Sequence, residues 1–146
     1  MELAATCLGV KVPNSPFLNE SRIERLNAGR YEGQEILGVM STVTEDDRVL
    51  ELGAGIGVVG AVAAHNKRPQ KVLSFEANPN LIPTINALYQ ANDLENRISV
   101  INEVLVSAPD RPNEVTFHVQ NSYLGSSLIP KSGRNTTEVS VKTRDF

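Results

Sequence analysis

Apolar residues fall in short blocks along the chain, separated by glycine, proline and acidic residues. Leu8 to Val12 alternates and predicts a short strand, stopped by Pro13 and Pro16. Ser21 is a candidate N-cap for a brief helix through Ile23 and Leu26, ended by Gly29. Ile36, Leu37, Met40 and Val43 recur at helical period and predict one apolar helix face. Thr44-Glu45-Asp46-Asp47 is a polar turn into a buried strand at Val49–Leu52, and Gly53-Ala54-Gly55-Ile56-Gly57 follows as a glycine-rich turn. A helix of small and β-branched residues runs from about Gly57 to His65. Lys71 to Phe75 reads as a second buried strand.

Asn78-Pro79 opens a helix with proline near its first turn, and Leu81, Ile82, Ile85, Leu88 and Tyr89 form its apolar face up to Asn92-Asp93. Ile98 to Val106 predicts a third strand, and Pro109 to Asn113 a turn. Val115-Thr116-Phe117-His118-Val119 alternates strictly, which predicts a half-buried strand with Val115, Phe117 and Val119 inward and His118 outward. Asn121 to Ser140 is polar and reads as flexible, including Tyr123, Gly125-Ser126-Ser127-Leu128 and Lys131 to Thr137. A final strand is expected from Val139 to Phe146.

Strand, glycine turn, helix and strand in this order predict a right-handed βαβ unit, so the fold class is α/β and Rossmann-like. Residues 1–44 read as an N-terminal helix and strand extension, and residues 45–146 as the ligand-binding domain.

The chemistry sits at the βαβ turn. Glycine permits positive φ and close backbone approach to a ligand. Glu76 lies nineteen residues beyond Gly57, at the end of the second strand. Right-handed crossover brings that carboxylate beside the glycine turn, where it can accept two hydrogen bonds from a ribose diol. The pair predicts an adenosine-containing cofactor. Asn102 and Glu103, in the third strand, are candidates for contacts near the adenine. Gly55-Ile56-Gly57-Val58-Val59-Gly60 also fits a dinucleotide fingerprint, which keeps an NAD-dependent oxidoreductase as a rival reading. Glu51 argues against it, because a carboxylate there would repel a pyrophosphate and suits a ligand with an amino group and a sulfonium centre.

No residue stands out as a general base; Glu32 and His118 are the only candidates. Tyr31 and Glu32 read either as closing over the cofactor or as surface residues beside their own helix. His65 meets a helix C-terminus. No group of His, Cys, Asp and Glu has metal-ligand spacing.

Composition narrows the class further. A net charge of −3 without runs of either sign argues against a general nucleic-acid or membrane-surface binder. The single cysteine, Cys7, excludes an internal disulfide and fits a reducing compartment. No apolar run reaches the roughly 18 residues of a membrane span, and the N-terminus lacks the basic start of a signal peptide. Cytoplasmic is the default localisation.

Glu51-Leu52-Gly53-Ala54-Gly55-Ile56-Gly57 and Phe75-Glu76-Ala77-Asn78-Pro79 resemble the first two motifs of class I S-adenosylmethionine-dependent methyltransferases. With Gly29-Arg30-Tyr31-Glu32, the alternating strand, Ser126-Ser127-Leu128 and the closing Val141-Lys142-Thr143-Arg144-Asp145-Phe146, they resemble the FkbM-type family. The resemblance implies methyl transfer from S-adenosyl-L-methionine, usually to an oxygen of a small molecule or sugar. It implies that Gly53, Ala54, Gly55 and Gly57 line the cofactor. By the same pattern Glu51 sits at its amino end, and Glu76 with Ala77 at the ribose. Family members continue past Asp145-Phe146, so the chain reads as an N-terminal, cofactor-binding half, truncated after three sheet strands and a hairpin-like extension. That leaves a second, non-enzymatic rival: a cofactor-binding or interaction fragment. It also implies an unpaired strand edge, which a homo-oligomer or a partner chain would complete.

Overall fold

A computed structural model describes residues 2–120, 125–129 and 136–146. The expectations on Tyr123, on Lys131 and on the rest of 121–124 and 130–135 lie outside the described residues.

Two antiparallel strands, β1 (Leu3–Cys7) and β2 (Val10–Pro13), open the chain as a hairpin. The sequence reading expected only one strand here. Leu8 and Gly9 turn the chain with positive φ. Helix α1 (Glu20–Asn27) is capped by Asn19, whose side chain accepts from the Arg22 amide, two residues earlier than the expected Ser21. Helix α2 (Gly33–Thr42) buries Ile36 but leaves Leu37 69% exposed. Val43 is already extended at the C-cap. The apolar face is therefore Ile36, Val39 and Met40, the set that packs on the core.

The centre is a three-stranded parallel sheet ordered β3 (Arg48–Leu52), β4 (Lys71–Phe75), β5 (Ile98–Ile101). Leaving β3, the chain passes through the glycine turn into α3 (Val58–Val62), which continues as a π-helical turn, Ala63–Lys67. After β4, a 3-10 turn at Pro79–Leu81 leads into α4 (Ile82–Ala91). Both crossovers lie on one face of the sheet, over Val72 and Ile98, with α3 and α4 packed together. The opposite face carries Leu50, Leu52 and Leu73, and β3 is an edge of this sheet. Leu50 is 44% and Leu52 60% exposed, so this strand is not the fully buried one that its apolar run predicts.

The expected third strand is two strands. β5 stops at Ile101, and β6 (Val104–Val106) belongs to a second sheet ordered β6, β8 (Thr136–Asp145), β7 (Glu114–Gln120). The break falls on Asn102, whose amide donates to the Glu76 and Ala77 carbonyls at 2.7 and 3.1 Å and turns the chain away. Thr136 to Ser140, expected to be flexible, belongs to β8 and pairs with β7. His118, expected outward, is only 7% exposed. Its backbone exchanges hydrogen bonds with Ser127, which folds back over β7.

One core joins the hairpin, α1, α2, the parallel sheet and its helices, with Cys7, Leu26, Val72 and Ile85 fully buried. Phe117, Val119 and Val141 form a smaller cluster under the second sheet. No helix among the described residues is long and apolar enough to cross a membrane.

Candidate functional site

The glycine turn is built by backbone hydrogen bonds to the next strand. Gly53 and Ala54 both donate to the Phe75 carbonyl, at 2.8 and 3.1 Å, and Gly57 donates to Ala54 at 2.8 Å. Gly53, Gly55 and Gly57 have φ of 79°, 58° and 85°. A β-carbon at Gly57 would press on Ile85 at 3.1 Å and Tyr89 at 3.3 Å, so this glycine is needed for packing as well as for φ. A β-carbon at Gly53 would meet nothing within 4 Å, because open space lies above it.

Glu76 stands at the tip of β4 and closes the turn from the other side. One carboxylate oxygen accepts from the Gly55 amide at 2.8 Å, the other from the Asn78 amide at 2.7 Å. Each oxygen keeps a further lone pair for a ligand. Burial raises the Glu76 carboxyl above its ordinary value, and the amides of Asn78, Gly55 and Ala77 pull it back.

Glu51, on β3, lies deeper. It accepts from the Gly60 amide at 2.8 Å and from the Ser74 hydroxyl at 2.5 Å. Ser74 in turn accepts from the Tyr89 hydroxyl at 3.3 Å. Burial raises the Glu51 carboxyl; Ser74 and Gly60 lower it, and the charges of Glu35 and Glu76 lift it further. An alanine at 60 would put its β-carbon 2.5 Å from the Glu51 carboxylate.

These groups border a cavity of about 410 Å³, within the range of small-molecule sites. The floor is Glu51, Leu52, Gly53, Ala54 and Gly55 with Phe75, Glu76 and Ala77. Tyr31 and Glu32 lead into α2 and Glu35 lies in its first turn; Glu103 comes from the link before β6, Val104, Leu105 and Phe117 from the second sheet, and Ser126 from the segment beside it. Five of the lining residues are glutamates and none is lysine or arginine, so among the described residues the wall is acidic. Open space above Gly53, a carboxylate at the strand tip and a second one deeper in fit a ligand with a diol at one end and a cationic group at the other.

Of the residues singled out from sequence, Glu51, Gly53, Ala54, Gly55, Glu76, Ala77 and Glu103 border this cavity. Gly57 and Asn102 do not: Gly57 packs against α4, and Asn102 holds the backbone behind Glu76. Glu103 is paired with Arg144 at 2.5 Å. Glu32 lines the cavity at the N-cap of α2, with φ of 44°. His118 is absent from the lining and lies 3.6 Å from Glu138. No group of residues that could hold a metal occurs among the described residues.

Sequence reasoning missed Ser74 and Tyr89. A signal for Ser74 was present: it is the lone hydroxyl in the apolar strand Lys71-Val72-Leu73-Ser74-Phe75, two residues from buried Val72 and hence on the same face.

The sequence profile of the TRM5/TYW2 methyltransferase domain matches residues 25–117, more than half of the chain. The FkbM-type resemblance finds no support here. Its glycine and Glu76 motifs are common to class I methyltransferases, whereas Ser126-Ser127-Leu128 and the closing strand lie outside the matched residues. No curated protein matches the chain in sequence. Among solved structures, PH0793 of Pyrococcus horikoshii, described as a transferase, is 20% identical. It covers 66% of this chain and 34% of its own, with a TM-score of 0.48. The YcgJ protein of Bacillus subtilis is 22% identical over 47% of this chain and 30% of its own, with a TM-score of 0.38. The chain therefore spans about a third of the length of these proteins.

Proposed function

The chain belongs to the TRM5/TYW2 methyltransferase domain family, whose cofactor is S-adenosylmethionine, and from that premise we propose that it carries the cofactor site of a methyltransferase. The observation that carries the reading is Glu76, held by the Gly55 and Asn78 amides at the rim of the cavity with lone pairs to spare. Glu76 accepts the ribose hydroxyls, Gly53 to Gly55 pass beneath the ribose and methionine, and Glu51 meets the ammonium end. Bound in this way, the cofactor supplies an electrophilic methyl group on sulfur. The residues of this chain contribute orientation, which is the main requirement of an in-line displacement. They also contribute negative potential, because the cofactor is cationic. The division into an extension at 1–44 and a binding domain at 45–146 belongs to the same reading.

Two acceptor classes are open to test. Methyltransferases of the TRM5 type typically act on tRNA, and this is the first reading. The second is an oxygen of a small molecule or sugar. The lining favours it specifically, because Glu32, Glu35, Glu51 and Glu76 border the cavity with no lysine or arginine among the described lining residues, and carboxylates repel phosphate; the fifth glutamate, Glu103, is paired with Arg144. A tRNA would need its backbone held outside the described wall.

The test is transfer of labelled methyl from S-adenosylmethionine to unmodified tRNA and, separately, to a polyol and sugar pool. Label in tRNA supports the first reading. Label in the pool alone supports the second. Wild-type chain that stays at blank in both, while folded, contradicts the enzymatic reading.

A further inference from the structure

We propose that Ser74 and Tyr89 are positioning residues for ligand binding, fixing the Glu51 carboxylate beneath the glycine turn so that it faces the cationic end of the cofactor. The inference rests on the cavity being the cofactor site.

Strand register sets Ser74 directly beside Glu51 in the β3–β4 pair. Ser74 is fully buried and Tyr89 is 2% exposed. Neither hydroxyl is required to fill space: alanine keeps the serine's β-carbon, and phenylalanine keeps the tyrosine's ring. A buried hydroxyl costs free energy unless bonded, and these two form a chain that ends on one carboxylate. The Tyr89 hydroxyl donates to Ser74, which leaves the Ser74 proton for Glu51. The Gly60 amide takes the other Glu51 oxygen. Three other elements, β4, α3 and α4, thus converge on a β3 side chain that borders the cavity.

Ionisable groups face Glu51 from three sides: Glu35 on α2, Glu76 beyond β4 and Tyr89 on α4. Helix α3 contributes only the Gly60 amide, since Val58 to Val62 carries no charge. Both neighbouring glutamates oppose ionisation of Glu51, and Ser74 is the strongest single influence favouring it. Removing the serine hydroxyl therefore makes the carboxylate harder to ionise. Removing the tyrosine hydroxyl acts in the same direction more weakly, through Ser74.

The test uses the full chain with Ser74→Ala and Tyr89→Phe. Carbon NMR follows the Glu51 carboxyl through a pH titration, its signal assigned with Glu51→Gln. Calorimetry follows S-adenosylhomocysteine affinity at pH 6 and pH 8. The Glu51 midpoint moves to higher pH in Ser74→Ala and less far in Tyr89→Phe. A charge-assisted hydrogen bond of this kind corresponds to about a tenfold loss of affinity at pH 6 in Ser74→Ala, with a smaller loss at pH 8. An unmoved midpoint, or an equal loss at both pH values, overturns the proposal. If wild type binds nothing while the midpoint still moves, Ser74 positions Glu51 as inferred and the cofactor reading is what fails.

Discussion

Glu51 and Glu76 are both carboxylates that burial makes harder to ionise in the folded chain. The linkage follows from the sign. A folded-state value above the unfolded one means that the native chain binds the proton more tightly, so the stabilisation is complete at low pH and fades as pH rises through the folded value. The window opens at the ordinary glutamate value of 4.5 and extends upward. Glu51→Gln keeps an acceptor for the Gly60 amide and removes the buried charge. Its thermal midpoint should exceed wild type at pH 7.5, and the difference should shrink towards pH 5. A constant difference across that range would contradict the assigned burial of charge. At this scale the sequence was most legible where geometry is local. Gly53, Gly55 and Glu76 follow from turn chemistry and crossover handedness. The partners of Glu51 follow from register and helix docking, and Tyr89 read simply as one more residue of an apolar face.

Elements rest on individual glycines to different degrees. Gly57 and Gly53 both sit at positive φ, where a side chain costs roughly 1–2 kcal/mol. Gly57→Ala also drives a β-carbon against Ile85 and Tyr89 on α4, adding about 1–3 kcal/mol of overpacking. Gly53→Ala adds no clash. Urea unfolding should therefore rank Gly57→Ala as clearly the more destabilised, by roughly 1–3 kcal/mol. Equal losses would mean that α4 yields at no cost. The parallel strands and their crossovers were readable because each is a continuous apolar block. The break between β5 and β6 was not. Ile98 to Val106 carries strand-forming residues almost throughout, and only the Asn102 contacts to the Glu76 and Ala77 carbonyls end the pairing. The π-helical turn at Ala63–Lys67 likewise has no signature in the run of small residues that precedes it.

Across the whole molecule, the parallel sheet is covered on one face by α3 and α4 and carries exposed leucines on the other. All-parallel sheets are ordinarily buried on both sides, and an edge strand with apolar neighbours invites pairing with another chain. The isolated chain should self-associate with rising concentration, and Leu50→Lys with Leu52→Lys should suppress this in sedimentation or light scattering. A wild-type chain that stays monomeric throughout would sink the expectation. The order β3, β4, β5 was foreseeable, since two right-handed crossovers in succession step along a sheet in one direction. The antiparallel β7–β8 pair was foreseeable as the hairpin-like extension formed by the alternating strand and the closing strand, but the addition of β6 to it was not. The parallel β6–β8 ladder joins residues far apart in sequence, and no local pattern encodes such a register. Burial of His118 has the same cause, for it depends on Ser127 folding back over β7.

The central claim is that the cavity above the glycine turn takes the cofactor through Glu76. Calorimetric titration of the folded chain with S-adenosylhomocysteine, beside Glu76→Ala, tests it most directly. The alanine leaves the Gly55 and Asn78 amides without their acceptor and the ribose without its partner, so circular dichroism must show that the variant is folded. Saturable binding by wild type and its loss in Glu76→Ala is the predicted result. A folded wild-type chain that binds nothing, or a folded variant that binds as wild type does, would contradict the account.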